Sequence, residues 1–140
     1  MSRAPLQHIL YVEDDPDIRT VAQLALEAVG GFKLRACASG KEALDAVAAG
    51  YVPDMILLDV MMPEMDGPTT LAQLRAIKAT ADQPAVFMTA KVQPAEIAYY
   101  KSLGAKGVLA KPFDPMRLSQ QVLQLWEQRD EQDREQRHAG

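Results

Sequence analysis

The chain has 140 residues, 48% hydrophobic and 24% charged, with a formal net charge of −4. That length holds one domain with a core of its own, the composition excludes a disordered chain, and the negative balance argues against non-specific nucleic-acid binding, which needs a basic face. The single cysteine, Cys37, excludes an intrachain disulfide and reads as a small buried side chain in a reduced compartment. No apolar run is long enough to span a membrane and no secretory leader opens the chain, so a soluble cytoplasmic protein without a membrane partner is expected.

Five short apolar runs alternate with helix-like segments. Gln7–Val12 reads as the first strand. Pro16–Val29 carries Ile18, Val21, Ala22, Ala25, Leu26 and Val29 at helical spacing, with Asp15 as N-cap, Pro16 in the first turn and Gly30-Gly31 as the stop. Lys33–Ala38 is the second strand. A helix through Ala49 follows, capped by Ser39, with Glu42 completing a capping box and Gly50 closing it. Met55–Asp59 is apolar enough for a strand buried on both faces, and a loop over 60–67 leads to a helix from Pro68 to Ile77. Ala85–Thr89 and Gly107–Ala110 are strands four and five, separated by a helix over Pro94–Leu103 that Gly104 ends. Pro115 opens the last helix, with Leu118, Val122, Leu125 and Trp126 on one face. The mixed-sign run Glu127–Arg137 extends that helix through pairs such as Asp130–Arg134 and Asp133–Arg137, and it has no coiled-coil seam. The expected organisation is one domain over 1–127 and a charged helical extension or disordered tail over 128–140. Its class is α/β, a parallel sheet with helices on both sides, because each parallel crossover needs a helix-length connection.

Polar groups gather at the strand ends: Glu13-Asp14 after the first, Asp59 after the third, Thr89 after the fourth and Lys111 after the fifth. In an open parallel sheet those ends share the edge where ligands bind. Alone, each has an ordinary role: a strand-end aspartate caps a loop, a threonine favours strands, a lysine is a solvated charge. Together they form a coherent set. Three carboxylates in one cleft repel unless a cation joins them, and oxygen-only donors suit Mg2+ (or Mn2+). Asp15 serves either the helix cap or the metal, its place before Pro16 favouring the cap. A carboxylate can itself attack phosphorus to give an acyl phosphate, with Lys111 and Thr89 meeting the phosphoryl oxygens.

The stretches Ile9–Arg19, Pro53–Gly67, Met88-Thr-Ala90 and Gly104–Phe113 resemble the receiver domains of response regulators in two-component signalling, over about residues 6–127. The resemblance implies a flavodoxin-like (βα)5 three-layer sandwich with strand order 2-1-3-4-5. It implies phosphorylation on Asp59, a switch hydroxyl at Thr89, a phosphate-binding lysine at Lys111 and a cis bond between Lys111 and Pro112. The metal would be held by Glu13, Asp14 and Asp59 with the backbone carbonyl of Met61. Implied partners are a sensor histidine kinase or histidine phosphotransfer protein as donor and an unidentified protein target. The target would dock on the face made by the fourth helix, fifth strand and fifth helix of a monomer or activation-dependent dimer. No nucleic-acid partner, attached output domain or enzymatic turnover is implied beyond self-phosphorylation and self-dephosphorylation.

One departure matters: Val108 stands where receivers commonly carry an aromatic ring that moves on activation. Tyr99 or Tyr100 is the expected substitute for that readout. Met61 and Lys91 flank the path of a hydrolytic water and offer no base, so slow self-dephosphorylation is expected. The alternatives are a phosphorelay intermediate or phosphate sink and, more remotely, a phosphatase with an aspartyl nucleophile, for which Asp15-Pro-Asp17 is the only matching feature. A flavin-binding flavodoxin is disfavoured because three acids stand where its phosphate loop would lie.

Overall fold

The computed structural model describes residues 4–139, with side chains described as far as residue 128. The elements in chain order are β1 (His8–Val12), α1 (Pro16–Leu24), β2 (Lys33–Cys37), α2 (Gly40–Ala48), β3 (Met55–Asp59) and α3 (Gly67–Leu74). They continue as β4 (Ala85–Thr89), α4 (Pro94–Ser102), β5 (Gly107–Ala110) and α5 (Leu118–Ala139). All strand pairs are parallel, in the order β2-β1-β3-β4-β5. This is the flavodoxin-like arrangement.

Strand alternation divides the core in two. Ile9, Tyr11, Met55, Leu57, Val86, Met88 and Leu109 face α1 and α5, meeting Ala22, Leu26, Leu118, Val122 and Trp126. Leu10, Val12, Ile56, Leu58 and Phe87 face the other way, meeting Ala43 and Val47 of α2, Leu71 and Leu74 of α3, and Tyr100 of α4. β3 is buried at every position, Asp59 included, because it lies mid-sheet with helices over both faces. Trp126 fixes the start of the chain to α5, its indole N–H donating to the Ala4 carbonyl at 3.2 Å.

The caps follow the sequence. Asp15 Oδ1 accepts from the backbone N–H groups of Asp17 and Ile18. Ser39 Oγ accepts from Glu42 N–H, and Asp66 Oδ1 from Thr69 N–H. Three helices differ from expectation: α3 ends at Leu74 rather than Ile77, before a separate 3-10 turn over Lys78–Thr80, and α1 and α5 also depart. The first helix is not regular to Val29: after Leu24 it widens into a π-helical turn over Ala25–Val29. Ser119 of α5 donates its hydroxyl to the Ala25 carbonyl at 2.8 Å, and Gly30 N–H reaches the same oxygen. Of the glycine pair only Gly31 is left-handed, at φ 75°; Gly30 is there because a Cβ would strike Ser119. At the other end, α5 begins at Leu118 rather than Pro115, since Asp114 first closes a turn by accepting from Met116 N–H. The ion pairs expected between 130 and 137 lie outside the described side chains.

The loop after β3 depends on Gly67. Its N–H donates to the Val60 carbonyl at 2.9 Å, and a Cβ there would overlap the Asp59 carbonyl oxygen and press within 3.0 Å of Val60 Cα. Backbone cannot yield as a side chain does. Gly67→Ala is therefore expected to destabilise the protein by about 1–3 kcal/mol, as overpacking does, with the largest amide shift changes at Asp59 and Val60. Unchanged denaturant midpoints would refute that close approach.

Candidate functional site

The C-terminal ends of β1, β3, β4 and β5 open into a cleft of about 490 Å³. It is lined by Glu13, Asp14, Asp59, Thr89 and Lys111, with Asp15, Ile18, Val60, Met61, Ala90, Lys91 and Tyr100 around them. The parallel register brings them together: Val12 lies opposite Leu58, and Thr89 opposite Ala110. Each strand therefore releases its polar residue at one level.

Carboxylate oxygens of Glu13, Asp14 and Asp59 lie within 4.8 Å of one another. Glu13 and Asp59 are buried, 1% and 3% exposed, while Asp14 is half-buried at the rim. Lys111 Nζ lies 2.9 Å from Glu13 Oε1 and 2.9 Å from Asp59 Oδ1. The second Glu13 oxygen accepts from Asp15 N–H at 3.2 Å. Burial pushes the Glu13 carboxyl above its ordinary value of 4.5, with the Asp59 charge adding to it and Lys111 and the Asp15 N–H opposing. For Lys111, burial works against the charge, yet the bonds to Asp59 and Glu13 outweigh it and leave the ammonium above its ordinary value. The bridge thus favours the charge of the ammonium where burial alone would oppose it.

Thr89 is buried, its hydroxyl accepting from Lys91 N–H at 3.2 Å. The Lys111-Pro112 bond is cis, as the resemblance implies. Met61 lines the cleft with its side chain 78% exposed. Val108 lies outside the cleft lining, paired in register with Phe87. Tyr100 does line it, and its ring packs on Phe87 at a centroid distance of 5.2 Å; the exposed Tyr99 ring lies tilted against Tyr100 at the same distance. Asp15 serves the helix cap. Cys37 is buried on β2, where burial raises its thiol pKa.

Two residues at the site escaped the sequence reading. Arg19, on α1, donates to the carbonyl of Glu13 at 2.8 Å and of Asp14 at 3.4 Å, fixing the backbone that carries both acids. Its signal was an arginine on the second turn of a helix opened by consecutive acids. Tyr11 reads as one more apolar strand residue, yet it carries a buried phenol beneath the cleft. Burial, then the charges of Glu13 and Asp59, push its pKa far above the ordinary range.

The donor set fits a hard divalent cation: three carboxylates, two of them buried, converge with a half-exposed oxygen at the rim, where bound water has room. Fold and site together define a flavodoxin-like α/β module with an acidic, lysine-bridged pocket at its strand ends. The chain belongs to the response regulator receiver domain family, which its residues 9–123 match. It is 34% identical over 113 residues to the response regulator SaeR of Staphylococcus aureus strain USA300, covering 81% of this chain and 47% of SaeR. The chain thus spans about half the length of the curated relatives it matches. The chemotaxis protein CheY4 of Vibrio cholerae superposes with a TM-score of 0.77 at 30% identity, over 86% of this chain and 99% of that one. The receiver domain of Francisella response regulator 1452 gives 0.75 at 27%, over 87% and 98%. Phosphorylation and Mg2+ binding at an acidic pocket are typical of this family, as are histidine kinase or phosphotransfer partners. No helix among the described residues is long and apolar enough to cross a membrane.

Lys111→Met leaves Glu13 and Asp59 facing each other without a cation. Stability near neutral pH is expected to fall by about 2–3 kcal/mol, somewhat less than for a fully buried pair because Lys111 is partly exposed. The sign with pH follows from Glu13. A folded pKa above 4.5 gives stability that is fully present below 4.5 and lost as pH rises through the folded value. In Lys111→Met that value rises further, so the deficit against wild type shrinks between about pH 7 and pH 4.5. Urea melts across this range check it; a deficit independent of pH would contradict the bridge.

Proposed function

We propose that Asp59 accepts a phosphoryl group from a phosphohistidine, carried by a sensor histidine kinase or a histidine phosphotransfer protein in the cytoplasm. The protein then signals by changing a docking face made of α4, β5 and α5. What supports the reading is the Lys111 ammonium, 2.9 Å from the Asp59 oxygen that it would release to a phosphoryl group. An Asp59 carboxylate oxygen forms the new O–P bond. The P–N bond breaks with its electron pair going to the imidazole, which leaves neutral when its other nitrogen carries a proton. Lys111 turns to the incoming oxygens, and Thr89 exchanges its contact with Lys91 N–H for one in which its hydroxyl donates. Mg2+ (or Mn2+) held by Glu13, Asp14, Asp59 and the Met61 carbonyl would supply charge neutralisation at the phosphoryl oxygens. The chemistry is self-phosphorylation and self-dephosphorylation, with no turnover of a separate substrate.

Readout is assigned to Tyr100. Its ring lies between Phe87, two residues before Thr89 on the same face of β4, and the exposed Tyr99. A shift of Thr89 changes the wall on which Tyr100 rests, and Tyr99 carries the change to the surface. Val108 offers no ring for the task.

Incubation with acetyl phosphate and Mg2+ is expected to add one phosphoryl group by intact-mass measurement and none to Asp59→Asn. Beryllofluoride with Mg2+ at a hundredfold over its dissociation constant is expected to add about 2.7 kcal/mol of stability to wild type. Phosphorylation of Asp59→Asn to the wild-type level would overturn the assignment. With Met61 and Lys91 beside the acyl phosphate and no base there, the modified protein is expected to persist for minutes; decay within seconds would show that water is activated by another group. On beryllofluoride binding the ring resonances of Tyr99 and Tyr100 are expected to move, and stationary rings would remove them from the readout.

A further inference from the structure

Tyr11 has no part in the chemistry above, yet it lies fully buried on β1 and its hydroxyl has no hydrogen-bond partner among the described residues. An unsatisfied buried hydroxyl works against folding, so its presence calls for a reason. Alternation along β1 puts Tyr11 on the same face as Glu13, and its register partner Leu57 stands two residues before Asp59 on β3. The phenol therefore lies one rank beneath the two acids bridged by Lys111, and it senses the charge of both.

Glu13 depends on two donors, Lys111 at one oxygen and Asp15 N–H at the other. A phosphoryl group on Asp59 would carry close to two negative charges and draw the ammonium toward itself. Glu13 would then keep Asp15 N–H and the cation it helps to hold, but lose one hydrogen-bond donor at a position 1% exposed to solvent, where a carboxylate short of donors is unfavourable. The donor on that face of β1 with its hydrogen uncommitted is the Tyr11 hydroxyl.

We propose that Tyr11 is a positioning residue, its hydroxyl donating to the Glu13 carboxylate, directly or through one ordered water, when Lys111 turns toward a phosphoryl group on Asp59. The proposal rests on the phosphoacceptor reading given above. It assigns the buried phenol a partner in the phosphorylated state that it lacks in the free one, which biases the site toward that state. Glu13 keeps its place as a metal ligand after the lysine has left it.

The test compares wild type with Tyr11→Phe, which removes one oxygen and keeps the packing. Mg2+ and beryllofluoride serve as probes, with binding read by calorimetry. Tyr11→Phe is expected to be at least as stable as wild type without ligand and to bind Mg2+ alone within about twofold of wild type. Its affinity for beryllofluoride in saturating Mg2+ is expected to fall about tenfold, the worth of one hydrogen bond to a charged group. A purely structural hydroxyl would change only the unliganded stability, so equal beryllofluoride affinity in the two proteins overturns the proposal. Wild type failing to bind beryllofluoride would instead remove the phosphoacceptor reading itself. Wild type labelled with 13Cζ-tyrosine gives a check that needs no variant. The Tyr11 hydroxyl proton is expected to become slowly exchanging, and its Cζ resonance to shift, only when Mg2+ and beryllofluoride are both present; an unmoved Cζ resonance overturns the proposal.

Discussion

The ammonium of Lys111 shared between Glu13 and Asp59 is the interaction on which the rest of the site depends. Its partners lie 98 and 52 residues away in sequence, so the bond closes the β1, β3 and β5 ends into one pocket. Without a cation, two buried carboxylates so close would repel one another. The ammonium offsets that repulsion and holds both acids in one pocket.

The sheet makes this placement reproducible. β1 and β3 are buried on both faces and registered residue by residue, so a slip of one position would turn an apolar row toward the wrong core. Glu13 continues the ladder, its N–H donating to the Cys37 carbonyl at 3.0 Å, and Arg19 fixes its carbonyl from α1. The loop after Asp59 returns to it at Gly67, where a Cβ would press on the Asp59 carbonyl oxygen. The side chains of Met61 and Tyr99, by contrast, are exposed.

Much of this was legible in the sequence because the governing patterns are local. Five apolar runs of strand length, the caps Asp15 and Ser39 and the residues at the run ends were enough for the α/β class and the five polar groups of the cleft, while the strand order came only with the resemblance to receiver domains. What escaped was non-local. The π-helical turn at Ala25–Val29 exists because Ser119, ninety-four residues away, bonds the Ala25 carbonyl; no periodicity within the first helix carries that information. Arg19 acts on backbone oxygens, which sequence patterns do not display. Tyr11 fits an apolar strand so well that its hydroxyl drew no attention, and only burial beside the acids makes it notable. The missing aromatic at position 108 points only to Tyr99 or Tyr100; which of them packs against Phe87, namely Tyr100, is a tertiary contact that the sequence does not display.

The bridge can be weighed by a double-mutant cycle on unfolding free energy at neutral pH without Mg2+, using Lys111→Met, Asp59→Asn and the pair. If the ammonium holds the Asp59 carboxylate as described, the two effects couple by at least about 1 kcal/mol, because removing the lysine is more harmful while both carboxylates are there than when Glu13 alone remains. Effects that add to within about 0.3 kcal/mol, the range for independent sites, would mean that the two groups do not support one another.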